Sequence, residues 1–518
     1  MTPQWRRAAG GLAAALLTLI TPLPALAPAP ARAQQGFDAP PEPGPARPLQ
    51  VPDFTQVKLP NGVGLVVVQR HHQPLVTALL LVQAGSLQDP PGKAGLAALS
   101  FTLLTKGAQR GDETVDAADI SFAAESLGSI LEVSTGAQSG RLTLTLPSNQ
   151  LDDGLALLAD VARAPTLPAA ELLRSRSQMS DTLKLNLSDP GLLAAQLARR
   201  LYWGAAPAGQ LATPASLLRV KREDVLSFHR QQVRPERVTL VLAGDIDLAQ
   251  AKALVEKYFG DWRAGRQSLP TAALTTVPAT SLATSSAAAA PQPLPTTALL
   301  VDLPGAGQSA VLMLAPFTAQ DNSPAQRLEQ HAGALANRVL GVGYSARINQ
   351  QVRINRGLSY GASSATESLP AGGLLTASAQ TKHQSAAEVA ALLRAEILRL
   401  AVQDVGAREL AARQAAMVGD FSRQLETTAT LATLAADQLQ RGRDLTALMQ
   451  LPADLLALDA AQVRRFATQY WPASALRTVV VGDLQAAGVG LRQQFPGAWL
   501  IPADQLDLAS PNLRRVGK

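Results

Sequence analysis

Two guanidiniums and a phenol stand close together in the stretch NQQVRINRGLSYGASSA, residues 349–365: Arg353, Arg356 and Tyr360. An arginine fork can hold carbonyls or carboxylates in fixed geometry, and a tyrosine hydroxyl can donate to an oxygen on which negative charge develops. Neither supplies a nucleophile or a general base. Structural roles compete for the same residues. Arginine near a helix C-terminus answers the dipole, Gly357 suits the left-handed position after a helix, and tyrosine packs in strands. Arg356 fits a structural role better than Arg353.

The groups that would complete an active site are scarce. There are no cysteines, which excludes disulfides, thiolate metal sites and thiol nucleophiles. The five histidines are His71, His72, His229, His331 and His383. His71 and His72 are adjacent, and on a strand they would point to opposite faces. His331 follows Glu329 at i+2, which does not share a helical face. Solvated or hydrogen-bonded histidine is the reading for each. GVGYSAR, residues 341–347, lacks the Lys-Ser/Thr of a phosphate loop.

The elements that must position these residues come from a unit written twice. DVLSFHRQQVRPERVTLVLAGDI (224–246) matches QVRRFATQYWPASALRTVVVGDL (462–484). Phe228 to Gly244 and Phe466 to Gly482 are both 16 residues, each giving a helix, a Pro-containing turn and a β-branched strand. Residues 76–86 parallel 309–319, and 140–162 parallel 372–397, the latter pair reading as a strand followed by an amphipathic helix. Ser385 and Glu388 have capping-box spacing at the start of the second of these helices. The period is too long for a solenoid. The expected class is α+β: two homologous halves of antiparallel sheet and helices in a clamshell arrangement.

The stretch AGSLQDPPGKAGLAALSFTLLTKGAQRGDET (84–114), read with VRINRGLSYG, makes the resemblance specific. The chain resembles the pitrilysin/insulinase family of zinc peptidases, which includes the mitochondrial processing peptidases. Active members carry His-x-x-Glu-His on the helix that here begins near Gly95, so that two imidazoles bind zinc and the carboxylate activates water. Aligned by its flanks, that motif falls on Ala98, Phe101 and Thr102, and the third ligand on Thr182, beside Asp181. None can build the zinc site. The resemblance implies that Arg353 holds substrate carbonyls and Tyr360 donates to the scissile carbonyl, with Arg356 beside them. Some bacterial members place the zinc on one subunit and the Arg/Tyr pair on another. The expectation is therefore a non-catalytic, substrate-binding subunit, inactive alone and active in trans with a homologous zinc-bearing partner on an unfolded peptide. It holds no cofactor of its own. The alternative is an inert scaffold of the same fold.

The N-terminus reads as an export signal: Arg6-Arg7, a short apolar run, then Ala31-Arg32-Ala33, with cleavage after Ala33. A cut after Ala27 would leave Pro28 at the new terminus. The run is too short to span a bilayer, so a periplasmic or secreted protein is expected. Cleavage removes Arg6, Arg7 and Arg32 and no acid, lowering the net charge from +6 to about +3. That is too mild to argue for nucleic acid. The expected organisation is a signal at 1–33, a disordered segment at 34–49 and a first half at 50–263. An Ala/Thr/Ser/Pro-rich linker at 264–295, a second half at 296–505 and a tail at 506–518 complete it.

Overall fold

The computed structural model describes residues 49–263, 290–320 and 323–515. The expected export signal, nearly all of the expected 34–49 segment, residues 264–289 of the expected linker and the end of the expected tail lie outside the described residues.

The first half builds a six-stranded sheet from β1 (Thr55–Lys58), β2 (Gly64–Gln69), β3 (Leu75–Val82), β6 (Glu132–Thr135), β7 (Gly140–Pro147) and β8 (Val238–Gly244), in the order β1-β2-β8-β3-β7-β6. A small hairpin, β4 (Gly107–Arg110) with β5 (Glu113–Asp116), lies between β3 and β6 in the chain. The second half uses β9 (Ala298–Asp302), β10 (Ser309–Phe317), β11 (Ala362–Leu369), β12 (Gly372–Thr381), β13 (Arg477–Gly482) and β14 (Trp499–Pro502), in the order β11-β12-β10-β13-β9-β14. Reversing that order matches five of the six positions of the two sheets, all but β1 and β14 at one edge. β8 and β13, the strands of the two matched motifs, each run antiparallel to the following neighbour and parallel to the other. The antiparallel expectation thus holds except at β2–β8, β13–β9 and β14–β9. Only the outermost strands differ in direction: β1 is antiparallel to β2, whereas β14 is parallel to β9.

β3 is buried along almost its whole length, as a strand covered on both faces must be. One face of the first sheet packs on helices of its own half, including Leu96–Leu104, Leu151–Arg163 and Arg222–Gln232. Its other face is covered by the Thr428–Gln440 helix of the second half. The exchange is reciprocal. The Pro190–Trp203 helix of the first half lies across the second sheet, burying Leu193, Leu197, Leu201 and Trp203 against Leu312, Leu314 and Val479. Each such side chain contributes roughly 1.5–3 kcal/mol by burial.

Polar contacts fix the register of the exchange. Tyr202 donates to Gly373 O at 2.8 Å, and Arg199 pairs with Glu367 at 2.8 Å. Arg141 pairs with Asp437 at 2.6 Å. Beyond the crossing helix, Gly204 adopts φ +58°, and a Cβ there would stand 1.8 Å from Gln292 O, so only glycine lets residues 290–294 run past. Residues 506–515, read as a tail from the sequence, double back and bury Leu506, Leu508 and Leu513 beside the same helix.

Two local expectations fail. His71 and His72 lie in the turn between β2 and β3 rather than on a strand. The Ser385/Glu388 capping box does not form. His383–Ser385 make a 3-10 turn that leads into the Ala386–Val402 helix, and Ser385 makes no side-chain cap.

Candidate functional site

After β10 the second half runs through the Pro324–Gly341 helix and turns at Gly343 (φ +100°) and Tyr344. One helical turn, Arg347–Asn349, then widens into the π-helical turn Gln350–Ile354. Buried Ile348 and Val352 pin this segment to the core, leaving Arg353, Asn355 and Arg356 on the outer surface. The end is an αL cap: Gly357 sits at φ +63° and its N–H donates to Arg353 O at 2.9 Å. Widening is visible in Asn355 N–H donating to Gln350 O at 2.8 Å, five residues back.

The chain then kinks outward. Thr381 donates to Leu358 O at 2.6 Å, and Ser359 bridges over Tyr360 by donating to Gly361 O at 2.7 Å and accepting from Gly361 N–H at 3.1 Å. Tyr360 is 89% exposed, with no hydrogen-bond partner among the described residues. Its ring lines a cleft of about 480 Å³ with Gly191 and Ala195 of the crossing helix and Ser378 and Gln380 of β12. The exchanged helix of the first half is thus one wall of the site in the second.

Arg353 and Arg356 have different surroundings. Arg356 donates to Gln351 Oε1 at 2.7 Å and lies 3.5 Å from Glu388, the residue expected in the capping box. Arg353 makes no ion pair or hydrogen bond through its side chain among the described residues. Its guanidinium stands 5.2 Å from the Tyr344 ring centroid, in cation–π contact. Two residues that sequence reasoning missed hold this arrangement. Tyr344 supplies the ring. Asn349, buried, donates to Tyr344 O at 2.6 Å and accepts from Ala362 N–H at 3.2 Å, tying the Arg353 turn to the strand that follows Tyr360. Below them Arg347 grips Glu409 with two nitrogens, and Arg413 donates to Ser345 O at 2.6 Å. Desolvation holds the Arg413 guanidinium below its ordinary value. The only sequence signal was the charged residues at i, i+4 on the Ala407–Gln424 helix.

The first half offers no metal site. Ala98 and Thr102 are half-buried on the Leu96–Leu104 helix, and Phe101 is 1% exposed. The Phe101 ring packs edge-on to Phe228 at 6.1 Å and against β7, where a Cβ on Gly140 would lie 2.1 Å from it. Thr182 is exposed on the Ala169–Ser188 helix and donates to Gln178 O, while Asp181 pairs with Lys184. An alanine, a packed phenylalanine and two threonines carry no set of donors for zinc. Among the described residues no three His, Asp or Glu side chains form a group that could hold a metal ion.

What remains at this helix is structural. Asp89 accepts from Gly95 and Ala97 N–H, both at 2.7 Å, and burial pushes its carboxyl up to about 6. Four histidines have neighbours: Asp245 for His71, Ala162 O for His229, Ser309 and Ala306 O for His383, and Asp454 at 3.7 Å for His331. His72 is exposed.

Two family models match: Insulinase (Peptidase family M16) over residues 65–211, and Peptidase M16 inactive domain over residues 219–417. The chain belongs to this insulinase-like peptidase family. It is 26% identical over 353 residues to an uncharacterized zinc protease of Mycobacterium leprae, covering 67% of this chain and 72% of that protein. To an uncharacterized zinc protease of Rickettsia bellii it is 23% identical over 353 residues, covering 68% and 79%. Among solved structures, the peptidase M16 inactive domain from Pseudomonas fluorescens aligns with TM-score 0.72 at 21% identity, covering 83% of this chain and 98% of that one. The periplasmic protease PqqL of Escherichia coli aligns with TM-score 0.67 at 16% identity, covering 87% and 49%. These last two likenesses are of fold.

Proposed function

We propose that this chain is a non-catalytic, substrate-positioning subunit of a heteromeric zinc peptidase. It contributes Arg353 and Tyr360 to the active site of a homologous, zinc-bearing partner. The observation that carries the reading is the state of those two side chains: both are exposed, neither is spent on a hydrogen bond or ion pair among the described residues, and both are supported from below. Arg353 would hold peptide carbonyls, and the Tyr360 hydroxyl would donate to the carbonyl oxygen as charge develops. Arg356, engaged with Gln351 and Glu388, shapes the turn.

The helix exchange supports the need for a second chain. With each sheet covered by a helix of the other half, the halves cannot part around a peptide without uncovering Leu193, Leu197 and Leu201. A peptide-enclosing cavity would therefore close between this chain and its partner. We place the protein in the periplasm or outside the cell. The signal-like N-terminus supports this, as does the fold shared with a periplasmic protease. Among the described residues no helix is long and apolar enough to cross a membrane.

The test is Tyr360→Phe in the assembled complex. Loss of one oxyanion donor should lower turnover by about 100-fold, with melting temperature and co-purification unchanged. Unchanged turnover rejects the role.

A further inference from the structure

A second cavity, of about 640 Å³, lies on the other side of the crossing helix from Tyr360. Gly191 and Ala195 of that helix line the Tyr360 cleft, whereas Leu193 and Gln196 line this one. Leu183 and Leu187 come from the end of the Ala169–Ser188 helix, and Leu506 and Leu508 from the returning C-terminal segment. The volume is within the ~300–1,000 Å³ typical of ligand pockets, and the lining is mostly apolar. Two charged side chains complete it, Asp507 and Arg515. Asp507 Oδ1 accepts from Ala509 N–H at 2.9 Å, which fixes the carboxylate and leaves Oδ2 without a partner among the described residues. The Arg515 side chain is exposed and makes no described ion pair, either with Asp507 or with any other acid.

We infer that this cavity binds the C-terminal residue of a peptide whose last side chain is apolar. Such a terminus presents an apolar side chain flanked by an amide N–H and a carboxylate. The cavity presents leucines together with a carboxylate acceptor and a guanidinium donor, so each feature of the ligand has its complement. A fatty acid would fill the leucines and reach Arg515, but it has no N–H for Asp507 to accept. An internal peptide segment offers the side chain and the N–H, but only a neutral carbonyl for Arg515 in place of a carboxylate. The guanidinium–carboxylate contact is the discriminating one, because charge-assisted hydrogen bonds are the stronger kind. The inference involves neither Arg353 nor Tyr360, and it is tested on the isolated chain, with no partner, zinc or turnover. Its failure is therefore separate from failure of the proposed function.

The experiment is fluorescence anisotropy with a fluorescein-labelled tetrapeptide ending in leucine, as the free acid and as the C-terminal amide, with dodecanoate as competitor. The free acid should bind saturably and the amide at least ~10-fold more weakly, the scale of one charge-assisted hydrogen bond. Arg515→Gln should weaken the free acid by a similar factor and erase the acid/amide difference. Leu187→Gln should weaken both forms. Arg515 is exposed and makes no side-chain hydrogen bond or ion pair among the described residues, so its variant should melt as the parent does. Absence of saturable binding, equal affinity for acid and amide, or binding unaffected by Arg515→Gln overturns the inference. Tighter binding of dodecanoate than of the peptide overturns it in favour of a lipid site.

Discussion

The two halves treat the stretches that follow β3 and β10 in opposite ways. After β3, the Leu96–Leu104 helix turns inward: Phe101 is wedged between Phe228 and the bare backbone of Gly140, and Asp89 is spent on the helix N-terminus. After β10, the corresponding stretch of the second half ends in Arg353 and Tyr360, which face outward over Tyr344 and a cleft. In the first half the ring is spent on packing. In the second half, buried hydrogen bonds from Asn349, Thr381 and Arg413 shape a surface that buries neither Arg353 nor Tyr360. The contrast separates a stretch built into the core from one held at the surface.

The contrast breaks first at Phe101. Phe101→Ala should cost about 3–5 kcal/mol, as a fully buried aromatic does when truncated, measured by urea unfolding. A loss below about 1 kcal/mol would mean that the space around Phe101 is hollow rather than packed.

A smaller effect separates the two post-strand helices by pH. His331, on the Pro324–Gly341 helix beside Asp454, is pushed by burial down to about 4. Arg327 and Arg443 add to the lowering, and Asp454 opposes it. Between about pH 6.5 and 4 the unfolded chain binds a proton that the folded chain refuses. Stability should therefore be complete above pH 6.5 and fall as pH drops, by up to about 3 kcal/mol near pH 4. Urea midpoints of the wild type and His331→Asn at pH 7 and pH 4 check this: the variant should lose less on acidification. Equal losses would place the acid sensitivity elsewhere.

The smallest effect belongs to Arg356. Its ion pair with Glu388 is long and exposed, so Arg356→Gln should shift stability by no more than about 0.5 kcal/mol. Turnover of the complex should move far less than with Tyr360→Phe. A loss equal to that of Tyr360→Phe would put Arg356 among the substrate-binding groups and erase its distinction from Arg353.

The duplication was legible in the sequence because both copies keep a buried strand at the same distance from a buried phenylalanine, Phe228 to Gly244 and Phe466 to Gly482. The spacing of Arg353, Gly357 and Tyr360 also carried through, since a left-handed cap needs a glycine that sequence displays openly. The helix exchange was not legible. Periodicity shows that LLAAQLARRLYW has an apolar face but not which sheet that face covers, and the covering partner lies more than a hundred residues away. The support given by Asn349 and Tyr344 was hidden for a similar reason: an asparagine bonding two backbones looks like any surface asparagine until the turn is folded. Ser385 and Glu388 show the reverse error. Their spacing was right for a cap, but Arg356 stands within reach of the carboxylate and a 3-10 turn occupies the start of the helix.

The central claim, that Arg353 and Tyr360 are half of a shared site, is tested most directly by purifying the tagged protein from its native envelope and measuring zinc and peptidase activity on what accompanies it. The account predicts a second chain bearing His-x-x-Glu-His, one zinc per pair, and activity that requires both chains. Recovery of the protein alone, free of zinc and inert, would contradict it and leave residues 349–365 as a helix end leading into a strand of a scaffold.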